Sequence, residues 1–349
     1  MNASMNIRPF KNCPALDGYH CQTNSLAKMF HYYNHPLSED MLLGLGAGMG
    51  FIYWKMKVDT GNTAFMGGRA NHKDFFSDVG RRTRVQIRAV STGSARKAEA
   101  RLLASLEKSE PVMMFGDMGF LPWFHFPQGY HFGGHSFVVC GYEAGNSLLA
   151  SDMDQAAPGL KKGFYAPLTL EQLSLARGST FKPFPPRNNY LEFDFSMYHP
   201  PEPEDIYAAI RQTVDSQLNP PIRNLGVKGM RLASHELLNW PDMFSEDELR
   251  MNLFSIYIFI EIGGTGGGCF RYMYSRFLKE SAEITKNDRL FEAAEDFHKA
   301  GGMLSEIGLL FKESQQTADL DKRIKTASGL FEAVARLEEN AYSRLASCI

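Results

Sequence analysis

A proline-dense stretch, Lys182 to Asp205 (KPFPPRNNYLEFDFSMYHPPEPED), divides this chain of 349 residues into two parts with different apolar periods. Proline fixes φ and has no backbone N–H, so neither a helix nor a central strand runs through such a stretch. Its one alternating run, Tyr190 to Phe195, is short. Upstream, apolar-polar alternation mixes with turn residues and one or two helical stretches; downstream, periods of three and four dominate. The pattern predicts an α+β domain over residues 1–197 and an all-helical domain over 198–349. In the second part, Ser245-x-x-Glu248 reads as a capping box for a helix reaching Ile262, Gly263 to Gly268 ends it, and another helix starts at Phe270. Two longer helices are expected over about Asp288 to Lys312 and Thr317 to Ala346.

Charge and cysteine usage narrow the function classes. Lys plus Arg 37 against Asp plus Glu 39 leaves a net charge of −2, so no global positive field supports nucleic-acid binding. The 5 cysteines, Cys13, Cys21, Cys140, Cys269 and Cys348, form neither a disulfide framework nor a CxxC pair, which fits a reducing compartment. The N-terminus lacks an apolar signal core, and the longest apolar run, Leu253 to Ile262, is broken by Ser255 and Glu261. A cytoplasmic protein without a membrane span is expected. His125 and His131 flank the Gly-Gly-His run, but neither forms an HxxxH or HExxH helix pair with a nearby acid and the cysteines are scattered, so no metal site is expected.

Residues Gln22 to Tyr33 read as a helix whose stripe is Leu26, Met29, Phe30 and Tyr33. Cys21 therefore sits at its first turn, where unpaired N–H groups and the helix dipole favour thiolate over thiol. The preceding Asp17-Gly18-Tyr19-His20 is turn-like, so the chain enters the helix sharply. A buried, inert cysteine is the competing reading, and position alone does not decide between them.

A cysteine nucleophile needs a base, and His135 opens an apolar, β-branched run, HSFVVCGYE, after Gly133-Gly134. Gly145-Asn146 suggests a hairpin to a second strand, Ser147 to Asp154. A turn centred on Ala144 and Gly145 pairs residues whose numbers sum to 289, placing Asp154 opposite His135 and Asp152 on the diagonal. His135, Asp152 and Asp154 then share a face, and a carboxylate there orients the imidazole and supports its charged form. A one-residue slip turns both aspartates away. Cys140 falls on the opposite face, and Cys13, followed by Pro14, lacks a helix start.

These residues carry a resemblance. Gly18-x-His20-Cys21, PLSEDMLLGLGAGMGFIYW from Pro36 to Trp54, GGHSFVVCGYE around His135 and LTLEQLSLAR from Leu168 to Arg177 are similar to the N-terminal domain of the butirosin biosynthesis protein H family. GGTGGGCFRYMYSRFLKESAE from Gly263 to Glu283 is similar to the helical domain usually fused to it. The resemblance implies a papain-like cysteine peptidase/acyltransferase fold in which Cys21, His135 and Asp152 match the catalytic positions. It implies an acyltransferase that takes an acyl group from the phosphopantetheine thioester of an acyl carrier protein and passes it to an amine-bearing small molecule. No bound cofactor is expected beyond the carrier's phosphopantetheine. Papain-like enzymes usually place a glutamine before the cysteine as an oxyanion donor; CPALDGYH has none, leaving the Cys21 N–H with Asp17, His20 or Gln22 as the second.

Other runs have two readings. Gly44, Gly46, Gly48 and Gly50 lack dinucleotide spacing; either Gly46 and Gly48 let backbone pass close to a substrate channel walled by Phe51, Tyr53 and Trp54, or they form a plain helix-to-loop connection. The Gly263 to Gly268 cluster has no P-loop Lys. Arg81, Arg82, Arg84 and Arg88 fit either a carrier-docking face or a solvated strand face. The helical domain is expected to shape the acceptor pocket, dock the carrier or form a homodimer interface. Acyl transfer, hydrolysis by the same triad as a peptidase or amidase, and non-catalytic binding are the competing functions.

Overall fold

The computed structural model describes residues 7–58, 61–70, 72–127, 129–143, 146–154, 158–182, 184–316 and 319–349. In chain order these form α1 (Cys21–Tyr32), α2 (Glu39–Leu45), β1 (Met49–Val58), β2 (Gly61–Arg69), α3 (Phe75–Thr83), β3 (Gln86–Val90), α4 (Ala95–Leu106), β4 (Val112–Gly116), β5 (His135–Glu143), β6 (Ser147–Met153), β7 (Gly163–Thr169), α5 (Leu170–Gly178) and β8 (Tyr190–Asp194). Only helices follow: α6 (Pro203–Leu218), α7 (Gly226–Leu237), α8 (Trp240–Met243), α9 (Glu246–Tyr257), α10 (Arg271–Thr285), α11 (Arg289–Glu313) and α12 (Leu320–Cys348). The class is α+β. The first part holds more helix than expected, because α3, α4 and α5 are short and each buries only a few apolar residues.

Two compact units result. The first takes residues to Glu39, Thr83–Asp154 and Leu160–Pro200; the second takes Asp40–Arg82 and Pro201–Ile349 with a short segment, Gln155–Gly159. The division expected at residue 197 is a single cut, whereas the first compact unit runs to Pro200 and Asp40–Arg82 folds with the C-terminal helices. The physical reason is apolar and polar pairing that local periodicity does not display. Trp240 donates its indole N–H to the Tyr53 hydroxyl (3.2 Å), and Asn252 accepts from the Ala64 amide (2.9 Å). Arg276 holds Asp40 with two hydrogen bonds of 2.7 and 2.9 Å.

In the first unit, six antiparallel strands run in the order β3-β8-β4-β5-β6-β7. One face carries Val112, Met114, Phe137, Val139, Leu148 and Ala150 against Leu102 and Leu106 of α4 and Leu173 and Ala176 of α5. The other face receives α1, with Ser136 Oγ 3.5 Å from Ser25 Oγ. Helix α1 is not the amphipathic helix its stripe predicts. Every residue from Thr23 to Phe30 is buried, polar ones included, so it runs as a central helix with partners all round.

The second unit is organised around Arg271, which is fully buried. It gives two hydrogen bonds to the equally buried Glu338 of α12 (2.7 and 3.1 Å), and one each to the carbonyls of Gly50 and Cys269 (both 2.7 Å). The Ser245–Glu248 capping box opens α9, which runs into a π-helical turn at Ile258–Ile262 before the glycine cluster. Phe270 caps α10 in the left-handed region, and Thr317 lies outside the described residues. Breaking one side of a desolvated pair strands the other charge. Glu338→Leu is expected to cost about 3–5 kcal/mol in denaturant unfolding, with much of the loss recovered in the Arg271→Met/Glu338→Leu double variant. Additive losses in the double variant would contradict this.

Candidate active site

Cys21 is the first residue of α1, with His20 as its N-cap; the His20 ring accepts the Thr23 amide. The turn before it is held by a residue that the sequence did not single out. Glu39, buried, accepts four hydrogen bonds from this turn and the first helical turn: Tyr19 and His20 amides at 3.1 Å each, Thr23 Oγ1 at 2.8 Å and Asn24 Nδ2 at 3.0 Å. Burial pushes the Glu39 carboxyl up, and these donors oppose it. Gly18 is required by the close approach, since a Cβ there would lie 1.7 Å from Glu39 Oε1. Gly18 also pairs with Lys161 through reciprocal backbone bonds of 2.9 and 2.7 Å, tying the turn to the segment before β7.

His135 opens β5 and is buried. Its Nε2 donates to Asp152 Oδ2 at 2.8 Å, and the ring hydrogen bonds on its other side to Cys21. The hairpin register that makes this contact has a compensation in it. Near the turn, Glu143 pairs with Ser147, a sum of 290; Val138 pairs with Ser151, a sum of 289. The shift falls between Val139 and Gly141, so Cys140 is the extra residue of a bulge, which returns the ladder to the count that places His135 and Asp152 together. Ala144 and Gly145 lie outside the described residues. Asp154 is exposed, and its backbone amide donates to the Lys162 carbonyl at 2.9 Å. Asp152 is the carboxylate that meets the imidazole, and it is saturated: Trp123 Nε1 donates to the same Oδ2 (2.8 Å), and the Met153 amide donates to Oδ1 (2.8 Å).

The electrostatics favour a charge-separated pair. Burial pushes the Cys21 thiol up, but the hydrogen bond and charge of His135, with backbone and hydroxyl contacts from Ser136, bring it below its usual value. Burial pushes His135 down, yet the Asp152 charge and hydrogen bond, then Cys21, raise it to about 10. A thiolate beside an imidazolium is therefore the stable form of the pair, which titrates as a unit. Two buried lysines lie near this charge: burial lowers both Lys28, countered first by Asp152, and Lys161, countered by Asp154 and Cys21.

The other sequence candidates have contacts of their own. Asp17 accepts from the Gly163 amide (2.9 Å) and lies 3.8 Å from Lys162. His20 serves the cap, and Gln22 is half-buried on the first turn of α1. Gly46, Gly48, Phe51, Tyr53 and Trp54 belong to the second unit. Gly46 and Gly48 leave room for Phe75 and Arg69, Phe51 packs edge-on to Phe331, and Tyr53 is buried under Trp240, whereas Trp54 is exposed. Arg82 does not join a solvated basic face: it is buried and bonds the Leu45 carbonyl and Gln212. Arg88 does stand on a strand, exposed and paired with Glu192. Glu39 and Trp123 carry no local signal that marks them; each acts through a contact distant in sequence.

Alkylation of Cys21 by iodoacetamide is expected to begin at a pH below the free-thiol value of about 8.5. Asp152→Asn removes what raises His135, so the imidazolium titrates lower and the onset of alkylation moves to higher pH. For every pH unit that the onset moves, the rate near pH 6.5 is expected to fall by about tenfold. An unchanged onset would count against the ion pair. Glu39→Ala takes one acceptor from each of four donors, of which Thr23 Oγ1 and Asn24 Nδ2 keep backbone carbonyls as partners; a loss of about 2–4 kcal/mol in thermal or denaturant unfolding is expected, and Glu39→Gln, which keeps one accepting oxygen, loses less.

No helix among the described residues is long and apolar enough to cross a membrane. No curated protein matches the chain. Two family models do: butirosin biosynthesis protein H, N-terminal, over residues 20–153, and a domain of unknown function, DUF4872, over residues 171–345. The first spans Cys21, His135 and Asp152 and the second most of the helical part, and with both in one chain this protein belongs to the butirosin biosynthesis protein H family.

Proposed function

We propose that this protein is a cysteine acyltransferase of secondary-metabolite assembly, with a papain-like arrangement of Cys21, His135 and Asp152. The observation that carries the reading is the cysteine at the start of a buried helix, hydrogen bonded to an imidazole whose far nitrogen is held by a buried carboxylate. The family's naming for the biosynthesis of butirosin, an aminoglycoside antibiotic, supports the biosynthetic setting.

The donor is a thioester on the phosphopantetheine of an acyl carrier protein. Cys21 thiolate attacks its carbonyl carbon, and the oxyanion draws on the Cys21 amide at the open N-terminus of α1. Collapse breaks the carbon–sulfur bond to pantetheine, and the His135 imidazolium gives its Nδ1 proton to the departing thiolate. Neutral His135 then takes a proton from the acceptor amine as it attacks the acyl-cysteine. Collapse of the second intermediate releases the amide product and restores the Cys21 thiolate beside imidazolium. Asp152 fixes the imidazole tautomer throughout and Trp123 covers that carboxylate, whose three donors keep it an acceptor.

Intact mass spectrometry tests the route. Wild type mixed with acyl-pantetheine thioesters is expected to gain one acyl mass on Cys21, to lose it faster on addition of amine with formation of amide, and to gain none in Cys21→Ala. Loss at the same rate without amine would make the protein a hydrolase. Equal behaviour of wild type and Cys21→Ala with carrier-bound donors would leave a non-catalytic binding protein.

A further inference from the structure

Ahead of β5, Asp117 and His131 build, with Ser179, a second polar centre that the triad does not use. Asp117 is fully buried and accepts from the Gly119 and Phe132 amides (both 3.0 Å), from Ser179 Oγ (2.6 Å) and from His131 Nδ1 (3.0 Å). Every partner donates, so His131 carries a proton on Nδ1, and in the neutral ring Nε2 is then the acceptor. The His131 ring stacks on Phe181 at 3.5 Å with a 4° interplanar angle, which locks its orientation.

This histidine lines a cavity of about 240 Å³ together with Phe120, Phe124, Phe126 and Tyr130. Phe124 stacks on Phe126 (5.5 Å), Phe126 meets Tyr130 (4.4 Å), and the other side of the set reaches the catalytic centre, where Phe124 lies edge-on to His135 at 5.2 Å. Phe126 and Tyr130 remain 39% and 46% exposed, although they pack on each other. Aromatic surface left open beside a nucleophile is a place where an apolar ligand group gains burial.

We propose that this cavity is the acyl subsite, holding a short aromatic or branched acyl group that carries a hydrogen-bond donor such as a hydroxyl, with the donor on His131 Nε2. It rests on the acyl-transfer reading and names the acyl class for it. Three observations favour the acyl group over the other reactants. Phe124 both lines the cavity and lies edge-on to His135, which sets an apolar wall next to the base. Its volume of about 240 Å³ accommodates a small acyl group. Among the described residues that line it, a polyamine acceptor finds no carboxylate to pair with, because both oxygens of the neighbouring Asp117 are already engaged inside the protein.

The test measures Cys21 acylation by intact mass across N-acetylcysteamine thioesters of acetyl, benzoyl, phenylacetyl and hydroxylated phenylacetyl groups. Phe126→Ala and Tyr130→Ala are expected to lower the ratio of phenylacetyl to acetyl acylation by about tenfold. His131→Asn, whose amide can still donate to Asp117, is expected to lower the ratio of hydroxylated to plain phenylacetyl acylation by about tenfold. Ratios within about twofold of wild type in all three variants would overturn the subsite. A second arm uses calorimetry with the amide analogue of the hydroxylated phenylacetyl thioester, which binds without reacting. Weaker binding in Phe126→Ala with no acylation of wild type would keep the subsite and remove the acyl-transfer reading. Weakened binding of an aminoglycoside, with the amide analogue unaffected, would assign the cavity to the acceptor and overturn the proposal.

Discussion

The candidate active site depends on how a carboxylate solves a helix-end problem. A buried α-helix exposes its first N–H groups to an interior that cannot hydrate them, and each unpaired group costs about 1–3 kcal/mol. Glu39 takes the amide of the cap residue His20, with the Tyr19 amide before it, the Thr23 hydroxyl and the Asn24 carboxamide, while the His20 ring takes the Thr23 amide. Because these bonds fall on Tyr19, His20, Thr23 and Asn24, the backbone of the enclosed residues, Cys21 and Gln22, has its position set. The absent Cβ of Gly18 makes the approach possible. Cys21 is the first residue of the helix, so its own N–H is among the donors of the helix end.

Around that point the charges form a chain. Trp123 and the Met153 amide hold Asp152, Asp152 holds His135, and His135 supports the Cys21 thiolate. Each member is buried or shielded, so the interactions work in a low effective dielectric. The same loop that supplies Trp123 supplies Phe124 and the aromatic wall beside it. On the proposed function and subsite, chemistry and recognition would share one segment, and a change in the loop would act on both.

The second unit shows how a long apolar hairpin finds partners. β1 and β2 leave the alternating part of the sequence and pack with α7, α8 and α9, fastened by Asn252, Trp240 and the buried Arg271. Arg271 is held by Glu338 and two carbonyls, a geometry that a planar guanidinium satisfies and an ammonium does not. The glycine cluster before α10 admits this arrangement: a Cβ at Gly268, where φ is +52°, would meet the Gly301 backbone at 2.7 Å.

The change of period at the proline-dense stretch, the start of α1 at Cys21, the capping box at Ser245 and the near-289 pairing of β5 with β6 are written locally, in residues a few places apart. Helix caps, turns and strand alternation are short-range effects, so one sequence suffices to read them. The turn end of the β5–β6 ladder departed from that pairing by one residue, and a bulge at Cys140 restored it, a compensation that alternation alone does not reveal. The burial of polar α1, the Glu39 clamp, the Trp123 bond to Asp152, the transfer of Asp40–Arg82 to the helical unit and the His131 cavity were decided by tertiary structure. Their partners lie from about 15 to more than 200 residues away in the chain, and a side chain's partner across such distances is chosen by packing and desolvation, which no local pattern encodes.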